Sequence, residues 1–226
     1  MATHTQPAAH GAVEAVQIPI AGGTRLNADL RLPANARGLV VFAHGSGSSR
    51  FSPRNREVAE FLGSRRFATL LLDLLTDREE AVDNVTAQFR FDIARIGPRV
   101  TAAAEWVATR ADLRALPVGC FGASTGAAAA LMAAAERPDL IAAVVSRGGR
   151  PDLAGAALAR VKSPTLLIVG GYDAPVIEMN RDAMSQMTAH VELEIVPGAT
   201  HLFEEPGTLE QVCELAADWF ERYLRK

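Results

Sequence analysis

Ser124 stands between Gly122 and Gly126, inside the stretch Pro117 to Pro138, PVGCFGASTGAAAALMAAAERP. A short apolar run, Val118 to Phe121, stops at Gly122, and an alanine-rich segment of strong helix-forming character follows and ends before Pro138. That order reads as strand, sharp turn and helix, with one hydroxyl at the apex. In such a setting G-x-S-x-G has a mechanical meaning. A serine held in a strained turn projects its Oγ, and the flanking glycines let strand and helix pass close together. The helix that starts there directs its free N–H groups and positive dipole end at any developing anion. An ordinary Gly-rich turn would look the same in isolation, so the meaning depends on what else the chain brings to that apex.

The elements that could bring it are apolar runs alternating with helical patterns. Val13 to Ile20 and Leu26 to Leu32, separated by Ala-Gly-Gly-Thr, read as a hairpin. Gly38 to Ala43 and Phe67 to Leu72 are continuous apolar runs of the kind covered on both faces, and Pro53 to Arg66 between them reads as an amphipathic helix. Asp73 to Asp92 is polar and charged and reads as a loop over the site. Ile93 to Thr109 has helical spacing that Gly97-Pro98 is expected to kink or restart. Ile141 to Ser146, Pro164 to Val169 and Val191 to Val196 are further strands, with helices expected over Asp152 to Val161, Val176 to Met187 and Thr208 to Leu224. The pattern predicts an α/β fold, an about eight-stranded, mostly parallel sheet with helices on both faces.

Composition sets the outer bounds. The 226 residues suit one domain over 13–226 behind a loose tail over 1–12, and 49% hydrophobic with 22% charged residues allows a sizeable core. The net charge of −3 argues against a nucleic-acid or anionic-membrane surface. Neither a bilayer-spanning stretch nor a signal peptide is legible, and Cys120 and Cys213 fall inside a predicted strand and helix, as reduced buried thiols would. These features fit a cytoplasmic location. No metal-ligand spacing is present, and no cofactor is expected.

In a parallel sheet, ligands bind beyond the carboxyl ends of the strands. The residues directly after predicted strands are therefore the candidates: His44 to Ser49, Ser124, Arg147, Asp173 and His201. Of the five histidines, His4 and His10 lie in the tail, His190 precedes a strand, and His44 belongs to a tight His-Gly turn that it would brace. His201 remains as the base that takes the proton of Ser124, since imidazole titrates near neutrality. Asp173 would accept the other ring N–H, although capping the following helix is its alternative role. Asp152, Glu204 and Glu205 are weaker competitors. For the oxyanion, the backbone N–H of Thr125 and that of Ser46 are expected, with Gly47 as second choice to Ser46. Arg147, Tyr172 and Phe203 are candidate substrate-binding residues. Arg90 and Arg150 could also meet an acidic substrate, and Phe89, Phe91 and Met179 could line an acyl pocket.

His44-Gly45-Ser46-Gly47, Gly122-Ala123-Ser124-Thr125-Gly126, Asp173 and Gly198-Ala199-Thr200-His201-Leu202-Phe203, in that order, resemble the α/β-hydrolase superfamily and within it the dienelactone hydrolase family. The resemblance covers nearly the whole chain after the tail. It implies the α/β-hydrolase fold without a large cap domain, and two-step acyl transfer through a Ser-His-Asp triad. Dienelactone hydrolases themselves carry a cysteine where this chain has Ser124. That departure points to a general ester or lactone hydrolase, and Cys120, inside the strand before the elbow, cannot substitute. The expected partner is a small-molecule ester or lactone, with no nucleic acid and no membrane; a homodimer is left open. The same triad would also serve a thioesterase or an amide or C–C hydrolase, and the same fold a silent binding domain. A Rossmann-type nucleotide site is disfavoured, because Gly45-Ser46-Gly47-Ser48-Ser49-Arg50 lacks the last glycine of G-x-G-x-x-G.

Overall fold

Four of the apolar runs are buried along their whole length in the computed structural model, which describes residues 11–225. These are β3 (Gly38–Ala43), β4 (Phe67–Leu72), β5 (Val118–Ala123) and β7 (Thr165–Gly170). With β6 (Ile141–Arg147) they form the centre of one eight-stranded sheet of order β1-β2-β4-β3-β5-β6-β7-β8. β1 (Val13–Pro19) and β2 (Arg25–Arg31) are the expected hairpin and pair antiparallel, and β2 joins β4 antiparallel; every other pairing is parallel. The two edge strands are the least buried. β1 carries Glu14, and β8 (Val191–Val196) carries Glu192 and Glu194, charges that discourage pairing with another sheet edge.

Helices cover both faces. α1 (Pro53–Ser64) and α6 (Thr208–Tyr223) lie over one face, where Val58, Leu62, Val212 and Phe220 pack against Val40, Phe42 and Phe121. On the other face α3 (Ile93–Thr109) and α4 (Thr125–Glu136) bury Ile96, Val100 and a row of alanines against Val41, Leu70 and Val144. α4 is buried on nearly all sides, so alanine rather than an amphipathic stripe is what its position requires. α5 (Ala174–Gln186) follows β7. No helix of the described residues is long and apolar enough to cross a membrane. Of the expected tail, residues 1–10 lie outside the described residues, and His4 and His10 with them.

Three expectations need correction. The segment Asp73 to Asp92 is not a plain loop but holds α2 (Asp77–Thr86), started by a reciprocal capping box in which Thr76 and Glu79 satisfy each other's backbone N–H. Its apolar periodicity is weak because it packs little, so the cap rather than the core starts it. Second, α3 runs unbroken through Gly97-Pro98. Gly97 lies against α4, where a Cβ would come within 3.2 Å of Met132, and this tertiary packing outweighs the one hydrogen bond proline removes. Third, the helix expected from Asp152 is a 3₁₀ stretch, Pro151–Arg160, interrupted where Gly155 turns to φ 52°.

Register is what aligns the strand ends. Ala43 sits opposite both Leu72 and Gly122, Ala123 opposite Arg147, Arg147 opposite Ile168, and Gly170 opposite Val196. The loops carrying His44 to Ser49, Ser124, Asp173 and His201, and Arg147 at the last position of β6, therefore lie along one edge of the sheet.

Candidate active site

Ser124 has φ 52° and ψ −121°, a backbone state that side chains other than glycine rarely adopt and that costs about 1–3 kcal/mol. Its backbone is pinned on both sides: Ser124 N donates to Arg147 O (3.2 Å), and Ser124 O accepts from Ala127 N (3.1 Å) and Arg150 N (3.0 Å). The flanking glycines are sterically required. A Cβ on Gly122 would lie 2.4 Å from Ala127 Cα, and one on Gly126 would lie 2.2 Å from Ala43 O. Gly45 lets the β3 loop close on the serine, since a Cβ there would meet Ser124 Cβ at 3.1 Å.

Asp173 is the residue before α5, yet its side chain does not cap that helix. Instead Oδ2 accepts from His201 Nδ1 at 2.6 Å, a carboxylate only 15% exposed against an imidazole 39% exposed. With Nδ1 protonated, Nε2 is left as an acceptor. The loop that carries His201 is fixed from three directions. Tyr172 N donates to Ala199 O (2.9 Å), Glu205 accepts from Thr200 N and Oγ1 (3.0 and 2.7 Å), and Gly170 admits the close approach of the Ala199 and Thr200 carbonyls. Ser124 and His201 line one cavity of about 260 Å³, together with Ser46, Arg54, Asn55 and Arg147. Among the described residues Ser124 Oγ makes no hydrogen bond; bonds of a nucleophile to its base commonly tighten only in the Michaelis complex.

His44 braces the neighbouring loop. Its Nε2 accepts from Leu74 N (3.0 Å) and its Nδ1 lies 2.8 Å from Gly45 O, which requires the neutral, Nδ1-protonated ring. Burial lowers its pKa in the same direction. In this loop Ser48 N is engaged by Gly45 O (3.3 Å), whereas neither Ser46 N nor Thr125 N donates to a backbone acceptor of a turn or cap among the described residues. Ser46 lines the cavity with Ser124; Gly47, at φ 67°, faces Arg90 and a smaller neighbouring cavity, which Thr125 also lines.

The candidate substrate residues separate. Arg147 is 6% exposed and lines the cavity. Burial, with the like charge of Arg54 nearby, pushes its guanidinium down to about 10, which leaves it charged at neutral pH. Tyr172 does not belong to the cavity: it is 75% exposed, because the turn that carries it uses its backbone to hold Ala199 and sends the ring outward. Phe203 is buried in the core, its ring 5.9 Å from the Arg147 guanidinium, and so supports the site from below rather than lining it. Phe91 is exposed. Ser48, inside the candidate loop His44 to Ser49, lines the cavity, and so do Ser52, Arg54 and Asn55, which the sequence reading missed. The strand-end rule could have reached them, since Ser52 and Pro53 mark the start of the helix that follows the β3 loop. Among the described residues no group of three or more His, Cys, Asp or Glu side chains is placed to hold a metal ion.

A family model described as the dienelactone hydrolase family matches residues 28–225. A dienelactone hydrolase of known crystal structure from Anabaena variabilis is 55% identical, with 96% of this chain and 100% of that one covered and a TM-score of 0.93. A Mycobacterium tuberculosis protein provisionally named a phosphoribosyl transferase is 52% identical over 212 residues, 93% of this chain but 46% of that protein. The chain thus spans about half the length of the curated relatives it matches. Est1E from Butyrivibrio proteoclasticus, at 19% identity and a TM-score of 0.75 over 92% of this chain and 98% of that one, shares the fold.

Proposed function

Because the chain belongs to the dienelactone hydrolase family, we propose that it is a serine hydrolase of small carboxylic esters or lactones, with Ser124, His201 and Asp173 as its triad. The observation that carries this reading is the 2.6 Å Asp173–His201 bond, made by an imidazole that lines one cavity with the strained Ser124. As the carbonyl is attacked by Ser124 Oγ, His201 Nε2 takes the hydroxyl proton. The anion that develops on the carbonyl oxygen is met by the N–H groups of Thr125 and Ser46. His201 then gives the proton to the leaving alkoxide, and the acyl group stays on Ser124. A water deprotonated by His201 attacks that ester, the acid departs, and the serine recovers its proton. Asp173 holds the ring and stabilises the imidazolium throughout.

The nucleophile position supports ester or lactone cleavage in general rather than the dienelactone chemistry of the family's name. A cavity of about 260 Å³ suits a small substrate. The phosphoribosyl transferase name describes proteins of which this chain matches 46%, and we assign that activity to no residue here. The reading is tested by labelling with a fluorophosphonate and by turnover of short p-nitrophenyl esters. Ser124→Ala is expected to lose the label and to lower kcat by about 10⁴-fold or more; an unchanged esterase rate in that variant would refute the assignment. Matched oxo-esters, thioesters and amides then decide which acyl bond is preferred.

A further inference from the structure

The polar contacts behind the β3 loop converge on a buried charge that does not line the cavity of Ser124. Arg99, on α3, is that charge. Its Nη1 donates to Leu74 O at 2.6 Å and to Glu79 Oε2 at 2.7 Å, and its Nη2 donates to Glu79 Oε1 at 2.6 Å. Charge-assisted bonds of this kind are short and directional, and lysine, a point charge, cannot reproduce the fork. Glu79 is also the capping-box residue, taking Thr76 N at 2.9 Å. One guanidinium therefore fixes the crossover from the end of β4 to the first turn of α2.

That crossover in turn holds the β3 loop at both ends. At its start His44 Nε2 accepts from Leu74 N at 3.0 Å, and at its close Asp73 Oδ1 accepts from Arg50 N at 2.7 Å. The first contact orients a peptide plane. With Nε2 occupied as an acceptor, the His44 Nδ1–H is the ring's donor, and it meets Gly45 O at 2.8 Å. Gly45 C=O and Ser46 N–H belong to one planar trans peptide unit and point in opposite directions. Holding the carbonyl on the His44 ring therefore fixes the direction of the Ser46 N–H, and Ser46 lines the cavity with Ser124.

Resting on the hydrolase reading, which makes the Ser46 N–H an oxyanion donor, we infer that Arg99 is a positioning residue for catalysis. By clamping Leu74 it sets the His44 ring and, through Gly45 O, the direction of that donor. Arg99 itself touches no reacting atom. Its loss misdirects the donor without removing it, so the cost is a part of the roughly 10²–10³ in rate that outright removal carries.

Anchoring is measured first, apart from turnover, by amide hydrogen exchange in wild type and Arg99→Met. The Leu74 and Arg50 N–H groups are expected to exchange about 10-fold faster or more in the variant, relative to Val41 N–H in the buried strand β3. A loss of global stability alone would speed all three alike. This arm needs no nucleophile, so a wild type that takes no fluorophosphonate label would fail the hydrolase reading and leave the anchoring to be judged by exchange. The second arm follows turnover of p-nitrophenyl acetate. Arg99→Met is expected to lower kcat by about 10-fold or more with KM little changed, and Arg99→Lys, which keeps a donor for Leu74 O, to recover part of it. Thr101→Val, on the same helix, loses only a bond to Glu136 of α4 and one to Gly97 O, and is the stability control: it should lower the melting temperature and leave kcat unchanged. Exchange of Leu74 and Arg50 that stays in step with Val41, or a fall in kcat no larger than in Thr101→Val, would overturn the inference. Should Arg99→Met not fold, Arg99→Lys decides: it must show the same selective exchange and a lowered kcat, and the absence of either sinks it.

Discussion

At the scale of single residues, the site depends on groups held where they would not rest alone. Ser124 keeps a left-handed φ of 52° only because its N–H and C=O are tied to Arg147, Ala127 and Arg150. Asp173 sits where a helix cap would be expected and gives its carboxylate to His201 instead. Asp173→Asn would leave the ring in place but favour the wrong tautomer, so kcat on p-nitrophenyl acetate should fall by about 10⁴-fold with KM little changed. Arg147 is buried, and among the described residues its guanidinium hydrogen-bonds only Asn55, at 3.5 Å, so its burial carries a cost. In buffer free of phosphate and carboxylates, Arg147→Met is therefore expected to raise the melting temperature, whereas a fall would mean that its contact with Asn55 outweighs that cost.

At the scale of elements, close backbone approach does the positioning. α4 can start at the elbow only because Gly126 meets the Ala43 and His44 carbonyls without a side chain; a Cβ would come within 2.2 and 2.5 Å of them. Since backbone cannot swing aside, Gly126→Ala should cost about 3 kcal/mol or more in urea unfolding, at the upper end of overpacking, and lower activity with it. α2 is held from its N-terminus. Burial alone would raise the Glu79 carboxyl, but hydrogen bonds from Arg99 and from Thr76 outweigh it and bring the group from 4.5 down to about 2. Because the folded value is depressed, the stabilisation is complete above pH 4.5 and fades as pH falls towards 2. The stability difference between wild type and Glu79→Gln should therefore shrink across that window when followed by circular dichroism; a constant difference would show that the carboxylate is not the group responsible. The capping signal Thr76-Asp77-Arg78-Glu79 was legible in the sequence and was hidden by the absence of an apolar stripe. The Gly97-Pro98 break, by contrast, was predicted from local chemistry and cancelled by packing against Met132, which no local pattern contains.

At the scale of the whole molecule, one sheet separates two apolar layers, and each holds one thiol: Cys120 packs with α3 and α4, Cys213 on the side of α1 and α6. Burial pushes both thiols up to about 12. A thiol reagent at neutral pH should therefore modify neither until the fold opens, and their modification rate in rising urea should track global unfolding; rapid reaction of the folded protein would show a looser layer than described. The sequence by itself determined the strands, the elbow and the order Ser124, Asp173, His201, because apolar runs, glycines and strand-end residues are set by neighbours along the chain. The same short range made the pairing of Arg150 with Asp152, two residues on, a local matter. Only the tertiary structure decided that Asp173 serves His201 rather than its own helix, that Tyr172 and Phe203 stand apart from the cavity, and that Arg147 is buried with no carboxylate partner among the described residues. Those outcomes depend on which distant groups arrive within hydrogen-bond reach, as Asn55 does from 92 residues away, and a charge is neutralised through space rather than along the chain.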